Sequence, residues 1–130
     1  MPNDFTAIIP FVQHLGIAIT AATRDEVTGV LPWRPELCTT GRVLHGGALM
    51  TLADSLGAVC AFLNLPDGAL TSTIESKTNF FRPVGKGAVH GTSTPLHVGR
   101  TTIVVATDLR DDTGKRVALI TQTQAVIAPP

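Results

Sequence analysis

The segment from Gly46 to Leu63 constrains the fold of this chain more than any other feature. It contains no proline, and its alanine, leucine and methionine residues favour an α-helix. Asp54 is its only charged residue, and the other polar side chains are limited to Thr51 and Ser55. A helix that is apolar around most of its circumference is buried on most sides. The sequence therefore predicts one long helix at the centre of the domain.

Sequences typical of β-strands flank this segment. Two precede the helix and four follow it, at residues 15–23, 26–31, 70–81, 88–97, 101–109 and 116–127. An apolar segment broken at Pro10 comes first and predicts one or two turns of helix. One side of the last strand carries Val117, Leu119, Thr121, Thr123, Ala125 and Ile127. Because hairpin-length connections join consecutive strands, the predicted class is α+β, with a curved antiparallel β-sheet wrapped around one long central helix.

The composition limits the organisation and the partners of the chain. Its 130 residues fit a single domain, residues 1–130, and ten basic and ten acidic residues leave no net charge for binding nucleic acid. Only 15% of the residues are charged, which indicates that another subunit covers part of the surface. Asp54 and three glycines argue against a membrane-spanning role for the helix. Residues 1–4 lack the pattern of a signal peptide, so a cytoplasmic location is expected.

The cysteines and histidines do not predict a metal site. Cys38 and Cys60 lack the paired spacing of zinc ligands, and Cys60 lies in an apolar run typical of a core. No second histidine stands at metal-ligand spacing from His45. The remaining histidines are interpreted as structural: His14, His90 and His97.

Asp54 needs either a partner or a function, because an ionised carboxylate in apolar surroundings is unfavourable unless it is paired or hydrogen-bonded. In the structural interpretation, Asp54 caps a loop or pairs with Arg82 or Arg100 from elsewhere in the chain. In the functional interpretation, its carboxylate takes part in a reaction, since perturbed carboxylates are common at functional sites.

The functional interpretation joins Asp54 to the glycines that open the helix. Gly46 and Gly47 precede Asp54 by about two helical turns, so the three residues lie near one face. The first N–H groups of a helix lack partners and can stabilise negative charge that develops on a carbonyl oxygen. A carboxylate can attack an acyl group or draw a proton from water. Hydrolysis of an activated ester or thioester requires these two kinds of group.

Three segments of the chain resemble one family in order and spacing. They are Gly41–Asp54 (GRVLHGGALMTLAD), Thr73–Val84 (TIESKTNFFRPV) and Val98–Thr102 (VGRTT). The first looks like the signature of the PaaI-like hotdog-fold acyl-CoA thioesterases, within the 4-hydroxybenzoyl-CoA thioesterase superfamily. The resemblance covers the chain from Leu15 onward. It implies a hotdog fold, no cofactor, and a homodimer or a dimer of dimers with active sites between subunits.

The resemblance also implies roles for individual residues. The Gly46 N–H would polarise the thioester carbonyl, and His45 would help to position the thioester. Asp54, contributed by the other subunit, would act as nucleophile or general base. Thr73 aligns with a hydroxyl residue that orients water or the carboxylate, and Ser72 is the neighbouring alternative because the register of the strand is open.

Residues at strand ends are candidates for binding the coenzyme A moiety of an acyl-CoA substrate. They are Arg82, Pro83, Lys86 and Arg100, and guanidinium groups in particular suit phosphate binding. The alternative interpretation of the charged ones is solvated surface charge. The chain departs from many relatives at Thr39, where they carry an asparagine. A threonine hydroxyl does not replace both functions of an amide, which leaves the substrate class and the rate open.

The predicted function is hydrolysis of aryl- or medium-chain acyl-CoA thioesters to the free acid and coenzyme A. One alternative is a hotdog enoyl-CoA hydratase or dehydratase, although the helix contains no second acid or base. The other is a non-catalytic acyl-CoA-binding module, which the threonine at position 39 keeps open. Candidate walls of the acyl pocket are Trp33, Phe62, Phe80 and Phe81.

Overall fold

A computed structural model describes residues 4–130 and shows one sheet of six strands around a long helix. Of residues 1–4, assessed above for a signal peptide, only Asp4 lies among the described residues. The helices are α1 (Phe5–Ile8), α2 (Pro10–Leu15) and α3 (Gly46–Leu63). The strands are β1 (Ala18–Ala22), β2 (Val27–Pro32), β3 (Leu70–Phe80), β4 (Ala88–Val98), β5 (Thr102–Arg110) and β6 (Arg116–Ile127). The predicted α+β class, with an antiparallel sheet around one long central helix, is confirmed.

The sheet has the strand order β1-β2-β4-β5-β6-β3, and every neighbouring pair is antiparallel. Hairpins join β1 to β2, β4 to β5 and β5 to β6, as the short connections predict. The expected hairpin between β3 and β4 does not form, because β3 pairs with β6 along its whole length. β3 is therefore an edge strand, eleven residues long, whereas β1 at the other edge has five.

The helix α3 packs against all six strands. Leu52 and Leu56 are fully buried at the centre of this contact. A side chain at Gly29 or Gly91 would come within 2.7 or 2.6 Å of a Leu56 methyl group. Glycine at these two positions lets the helix approach the sheet closely, which explains how a small curved sheet covers so long a helix.

One stripe of α3 faces away from the sheet. Met50 and Phe62 are 41% and 47% exposed, and Asp54 lies between them on the same stripe. The length and apolarity of α3 are those of a membrane-crossing helix, yet half of it is buried inside the sheet. The prediction that the helix is buried on most sides is confirmed, since Met50, Asp54 and Phe62 are the exposed residues among its eighteen. Its uncovered stripe is a surface that lacks a packing partner.

The first strand begins later than the sequence predicts. Residues up to Leu15 belong to α2, and Gly16 ends that helix in a left-handed conformation with a φ of 77°. The strand then starts at Ala18 instead of residue 15. A glycine directly after a helix is a common terminator, since it adopts positive φ without strain.

Cys60 is part of the hydrophobic core, as its apolar neighbours predict. Its side chain is fully buried in α3, and burial raises the pKa of the thiol to about 11. A thiol of this kind stays protonated at neutral pH and behaves as a small apolar residue.

Candidate active site

A trough runs along the uncovered stripe of α3, beside the α1–α2 segment. It consists of three hollows, of about 430 Å³ beside His45, about 380 Å³ around Asp54 and about 260 Å³ beside Phe62. The first two hollows share Phe11, and the last two share Ile9. We refer to this continuous groove as the α3 trough. Polar side chains join apolar ones in its lining around Asp54, and toward Phe62 its lining is apolar.

Asp54 lies on the floor of the α3 trough. Its Oδ1 atom is 3.3 Å from the Nε2 donor of Gln122 and 3.4 Å from the Thr73 hydroxyl. The carboxylate is exposed, which corrects the expectation of apolar surroundings on all sides. The expected structural pairing of Asp54 is absent as well. Neither Arg82 nor Arg100 forms an ion pair with Asp54, and the ion pairs within residues 4–130 involve other residues. One oxygen is thus anchored and the carboxylate stays accessible.

The start of α3 presents an unused backbone donor. Among residues 4–130, no acceptor is hydrogen-bonded to the Gly46 N–H, the first of the helix. A Cβ atom at Gly46 would lie 3.1 Å from the ring of Phe80, so the absent side chain makes room for this ring. An unpaired N–H at a helix start is a favourable place for negative charge on an oxygen.

His45 caps this helix start through its side chain. The Gly47 N–H donates to His45 Nδ1 over 2.7 Å. Because Nδ1 accepts, the ring proton of the neutral imidazole resides on Nε2. A Cβ atom at Gly47 would be 3.0 Å from Nδ1, so glycine leaves space for the ring. His45 therefore offers a second N–H donor beside that of Gly46, at the first hollow of the trough.

Gly46 and Asp54 lie too far apart in one chain to act on the same carbonyl group. They are eight residues apart in α3, which corresponds to about 12 Å along the helix axis. A reacting carbonyl needs its oxyanion donor and its nucleophile or base each within roughly 3 Å. Although both residues lie near one face, a single helix therefore does not bring both groups to one carbonyl.

The structure brings Thr73 to Asp54 and leaves Ser72 outside. Thr71 and Thr73 both hydrogen-bond to Gln124 beneath the trough, so the intervening Ser72 points to the other face of β3. The Thr73 hydroxyl is 2.5 Å from Gln124 Oε1, closer than it is to Asp54. Its single proton therefore goes to Gln124, and its contact with the carboxylate is secondary.

Gln122 and Gln124 are parts of the site that the sequence reasoning missed. They belong to the inward side of β6 with Ala118 and Ile120, and they are 0% and 1% exposed. The side that the sequence pattern singled out, which runs from Val117 to Ile127, lies largely opposite. The available signal was the pair of glutamines two residues apart on an otherwise apolar strand face, since alternate residues share one face.

Three of the residues predicted to bind coenzyme A lie at one end of the sheet. Pro83 and Lys86 line a hollow of about 180 Å³ next to the turn that contains Asp111, and Arg82 lies close by. The Thr113 hydroxyl holds the pKa of Asp111 below its usual value. Desolvation raises this pKa, whereas backbone N–H groups of the turn and the charge of Arg82 lower it further. The basic charge at this end is thus partly balanced within the chain.

Arg100 lies at the opposite end of the sheet. It follows β4, whereas Lys86 precedes that strand, and the strand itself spans roughly 30 Å. The side chains of Arg82, Lys86 and Arg100 are all exposed. A single chain therefore does not bring the predicted coenzyme A contacts into one site.

The aromatic candidates for the acyl pocket and Thr39 lie in separate parts of the structure. Phe62 lines the apolar end of the trough, and Phe80 covers Gly46. Trp33 lies in the loop before α3, where its indole N–H donates to the Arg42 carbonyl. Thr39 is exposed in the same loop, and its hydroxyl makes no hydrogen bond within residues 4–130.

Known proteins resemble the chain along most of its length. The family model described as the thioesterase superfamily matches residues 41–118. The proofreading thioesterase EntH of Cronobacter sakazakii is 32% identical over 111 residues, which are 85% of this chain and 81% of that protein. The structure of thioesterase HI1161 from Haemophilus influenzae has 31% identity and a TM-score of 0.86, covering 91% of this chain and 82% of that one. A variant of thioesterase PA1618 from Pseudomonas aeruginosa has 28% identity and a TM-score of 0.91, with 98% and 95% covered.

The curved sheet, its central helix and these neighbours define the class of the protein as a hotdog-fold thioester hydrolase. The resemblance that the sequence motifs carry is confirmed. The chain belongs to the thioesterase superfamily.

Proposed function

We propose that the protein hydrolyses acyl-CoA thioesters to the free acid and coenzyme A, at sites formed between two copies of the chain. The observation that carries this proposal is the accessible carboxylate of Asp54 in the α3 trough, about 12 Å along the helix from the Gly46 N–H, which has no acceptor within residues 4–130. Each is suited to one half of thioester hydrolysis, and only a second chain can bring the two halves together.

The edge strand β3 is the surface through which the two copies pair. It is eleven residues long and contains no proline, and within residues 4–130 no strand pairs with its outer side, which leaves backbone donors and acceptors available there. Edges of this kind readily pair with another strand. Two-fold pairing along β3 makes the α3 helices of the two chains antiparallel. With the axis near Met50, Gly46 of one chain lies opposite Asp54 of the other.

The same arrangement unites the basic residues. Arg82 and Lys86 lie at the end of the sheet where α3 begins, and Arg100 lies at the end where α3 finishes. Because the second chain is reversed, Arg82 of one copy comes to the same end as Arg100 of the other. Together with Pro83, they form the contact surface for the phosphates of coenzyme A. Guanidinium groups from two chains then flank one phosphate-bearing ligand.

In the proposed reaction, the Gly46 N–H and the Nε2–H of His45 donate to the thioester carbonyl oxygen. Asp54 either takes a proton from a water molecule that attacks the carbonyl carbon, or attacks that carbon itself. In both routes the carbon–sulfur bond breaks and coenzyme A leaves as a thiol, with a proton that comes from water. In the general-base route the water oxygen ends in the free acid. In the nucleophilic route water hydrolyses the acyl–Asp54 anhydride at the Asp54 carbonyl, so the water oxygen stays in Asp54 and the free acid receives an Asp54 oxygen. In a single turnover in labelled water, appearance of the label first in Asp54 distinguishes the nucleophilic route.

Complementation of two inactive chains tests the shared site. Asp54→Asn and Gly46→Pro chains carry different affinity tags, are co-expressed, and are purified through both tags. A mixed dimer contains one doubly altered site and one unaltered site, so it is expected to recover about half of the wild-type rate of thiol release. Two differently tagged Asp54→Asn chains serve as the control and stay inactive. Failure of the mixed pair to recover activity, with dimers present, would contradict a site formed between chains.

The apolar end of the α3 trough accepts the acyl group in this proposal. Its hollow of about 260 Å³ is lined by apolar side chains, among them Ile8, Val59 and Phe62, which suits an aryl or medium-chain acyl group. Half-buried Ala58 forms part of the floor.

Filling this hollow is expected to change acyl selectivity. The Ala58→Phe variant places a ring where the distal part of the acyl group would lie. Its kcat/KM for octanoyl-CoA and benzoyl-CoA should fall by roughly tenfold or more relative to acetyl-CoA, since loss of pocket space is felt only by groups that reach it. Acetyl-CoA is the internal control for folding. Equal losses with all three substrates would show that the acyl group does not lie there.

A further inference from the structure

The amide pair beneath Asp54 takes no part in the bonds that form and break in the proposed reaction. Gln122 and Gln124 are almost completely buried, on a strand face whose neighbouring side chains are apolar. Burial of an amide is unfavourable unless its donors and acceptors have hydrogen-bond partners. The partners of both glutamine amides therefore matter.

The hydrogen bonds of this pair fix the direction of every donor. The Thr71 hydroxyl donates to the Ala125 carbonyl, and Gln124 Nε2 donates to Thr71. Gln124 Oε1 must then face outward, where it accepts from the Thr73 hydroxyl and, over 3.1 Å, from Gln122 Nε2. The amide of Gln122 is therefore turned with its nitrogen toward Gln124 and Asp54, both of which are acceptors.

This arrangement holds one particular oxygen of Asp54. Gln122 Nε2 donates one proton to Gln124 and the other to Asp54 Oδ1. If the Gln122 amide were flipped, its oxygen would face two acceptors, Gln124 Oε1 and Asp54 Oδ1, and could hydrogen-bond to neither. Because the Thr73 proton is taken by Gln124, Gln122 is the donor within residues 4–130 that holds the carboxylate. Oδ2 makes no hydrogen bond in the same residues and is the oxygen left for a substrate or water.

Helix α3 contains a recess for this amide. A Cβ atom at Gly57 would overlap Oε1 of Gln122 and lie 2.5 Å from its Cδ. Gly57 follows Asp54 by three residues, so recess and carboxylate are adjacent on one helix face. The glutamine side chain therefore lies flat against the helix and reaches Asp54 from below.

The same amide is not arranged for stability. Its Oε1 atom is buried and has no hydrogen-bond partner within residues 4–130. A buried, unsatisfied acceptor destabilises the folded state, and an apolar side chain of equal shape would avoid this loss. The presence of an amide at such a site is better explained by the hydrogen bonds that its nitrogen donates.

We infer that Gln122 is a positioning residue: its buried amide, seated in the recess at Gly57, holds Oδ1 of Asp54 and aims Oδ2 at the thioester. The inference rests on the proposed function, in which Asp54 is the reacting group. Gln124 orients the amide, and Thr71 and Thr73 in turn orient Gln124.

The test is Gln122→Met, which keeps the length of the side chain and removes the amide. We expect kcat for acyl-CoA hydrolysis to fall by about ten- to a hundredfold, the effect of a misplaced reacting group, with KM unchanged. The midpoint of thermal unfolding should stay the same or rise, because the unsatisfied oxygen is gone. In an Asp54→Asn background, the same substitution should not lower the residual rate further, since coupled residues are non-additive.

A second pair of variants keeps the inference testable if methionine is not tolerated. Gly57→Ala displaces the amide and should lower both kcat and the unfolding midpoint. Adding Gln122→Ala removes the overlap, so the midpoint should recover while kcat stays low. Recovery of kcat together with the midpoint, or additive losses in the Asp54→Asn background, would overturn the inference. If Asp54→Asn itself is fully active, the proposed function fails, and this result is distinct from a failure of Gln122 alone.

Discussion

Replacement of Asp54 by asparagine is expected to lower kcat for acyl-CoA hydrolysis by about 10²- to 10⁴-fold, the usual contribution of a positioned acid or base. Asparagine has the same shape, and its side-chain oxygen can still accept from Gln122 Nε2. The amide nitrogen that replaces the other oxygen neither takes a proton nor attacks a carbonyl. The loss should therefore appear in kcat, with a smaller change in KM.

The measurement is thiol release from a panel of aryl- and fatty-acyl-CoA substrates. Asp67→Asn is a matched control, because Asp67 is an exposed aspartate in the turn after α3 and lies outside the trough. Circular dichroism and the unfolding midpoint report whether each variant folds. Full turnover by a folded Asp54→Asn protein would exclude the carboxylate from the reaction.

A proline at position 46 is expected to reduce kcat by about 10²- to 10³-fold, the typical result of losing one oxyanion donor. Proline has no N–H, yet it is favoured at the first position of a helix, which Gly46 occupies. The preceding residue, His45, has φ and ψ of −62° and 138°, a conformation that is compatible with a following proline. The substitution should therefore remove the donor and leave α3 intact.

Gly46→Ala separates the lost donor from the added bulk. Alanine keeps the N–H. Its added Cβ atom lies against the ring of Phe80, which is half exposed and can move. Its loss of kcat should be much smaller than that of proline. Equal losses in the two variants would mean that space at position 46 matters more than the N–H.

The sequence was most informative where the site is local. Asp54, Gly46, Gly47 and His45 lie within ten residues, and helix geometry alone relates them. The central helix was predicted with its observed limits for the same reason. The proposal that two chains share the site rests on the rise per residue, which separates Gly46 from Asp54 along the helix.

The sequence was least informative where distant segments meet. The contact of Gln122 with Asp54 depends on β3 pairing with β6, on which side of β6 faces inward, and on the recess at Gly57. None of these is a local property, and β3 skips the neighbour that chain order suggests. The exposure of Asp54 was missed in the same way, since composition does not show which stripe of an apolar helix the sheet leaves uncovered.

The glycines of α3 have a consequence for the order of folding. Gly46, Gly47 and Gly57 lower the intrinsic stability of the helix, and each leaves space for a side chain from outside the helix or at its cap. A helix of this kind is marginal in isolation and becomes stable only on the sheet. Gln122 belongs to β6, the last of the six strands, so the carboxylate acquires its fixed orientation only when that strand docks. With Asp54 as the proposed reacting group, we expect catalytic competence to be among the last properties that the chain gains during synthesis on the ribosome.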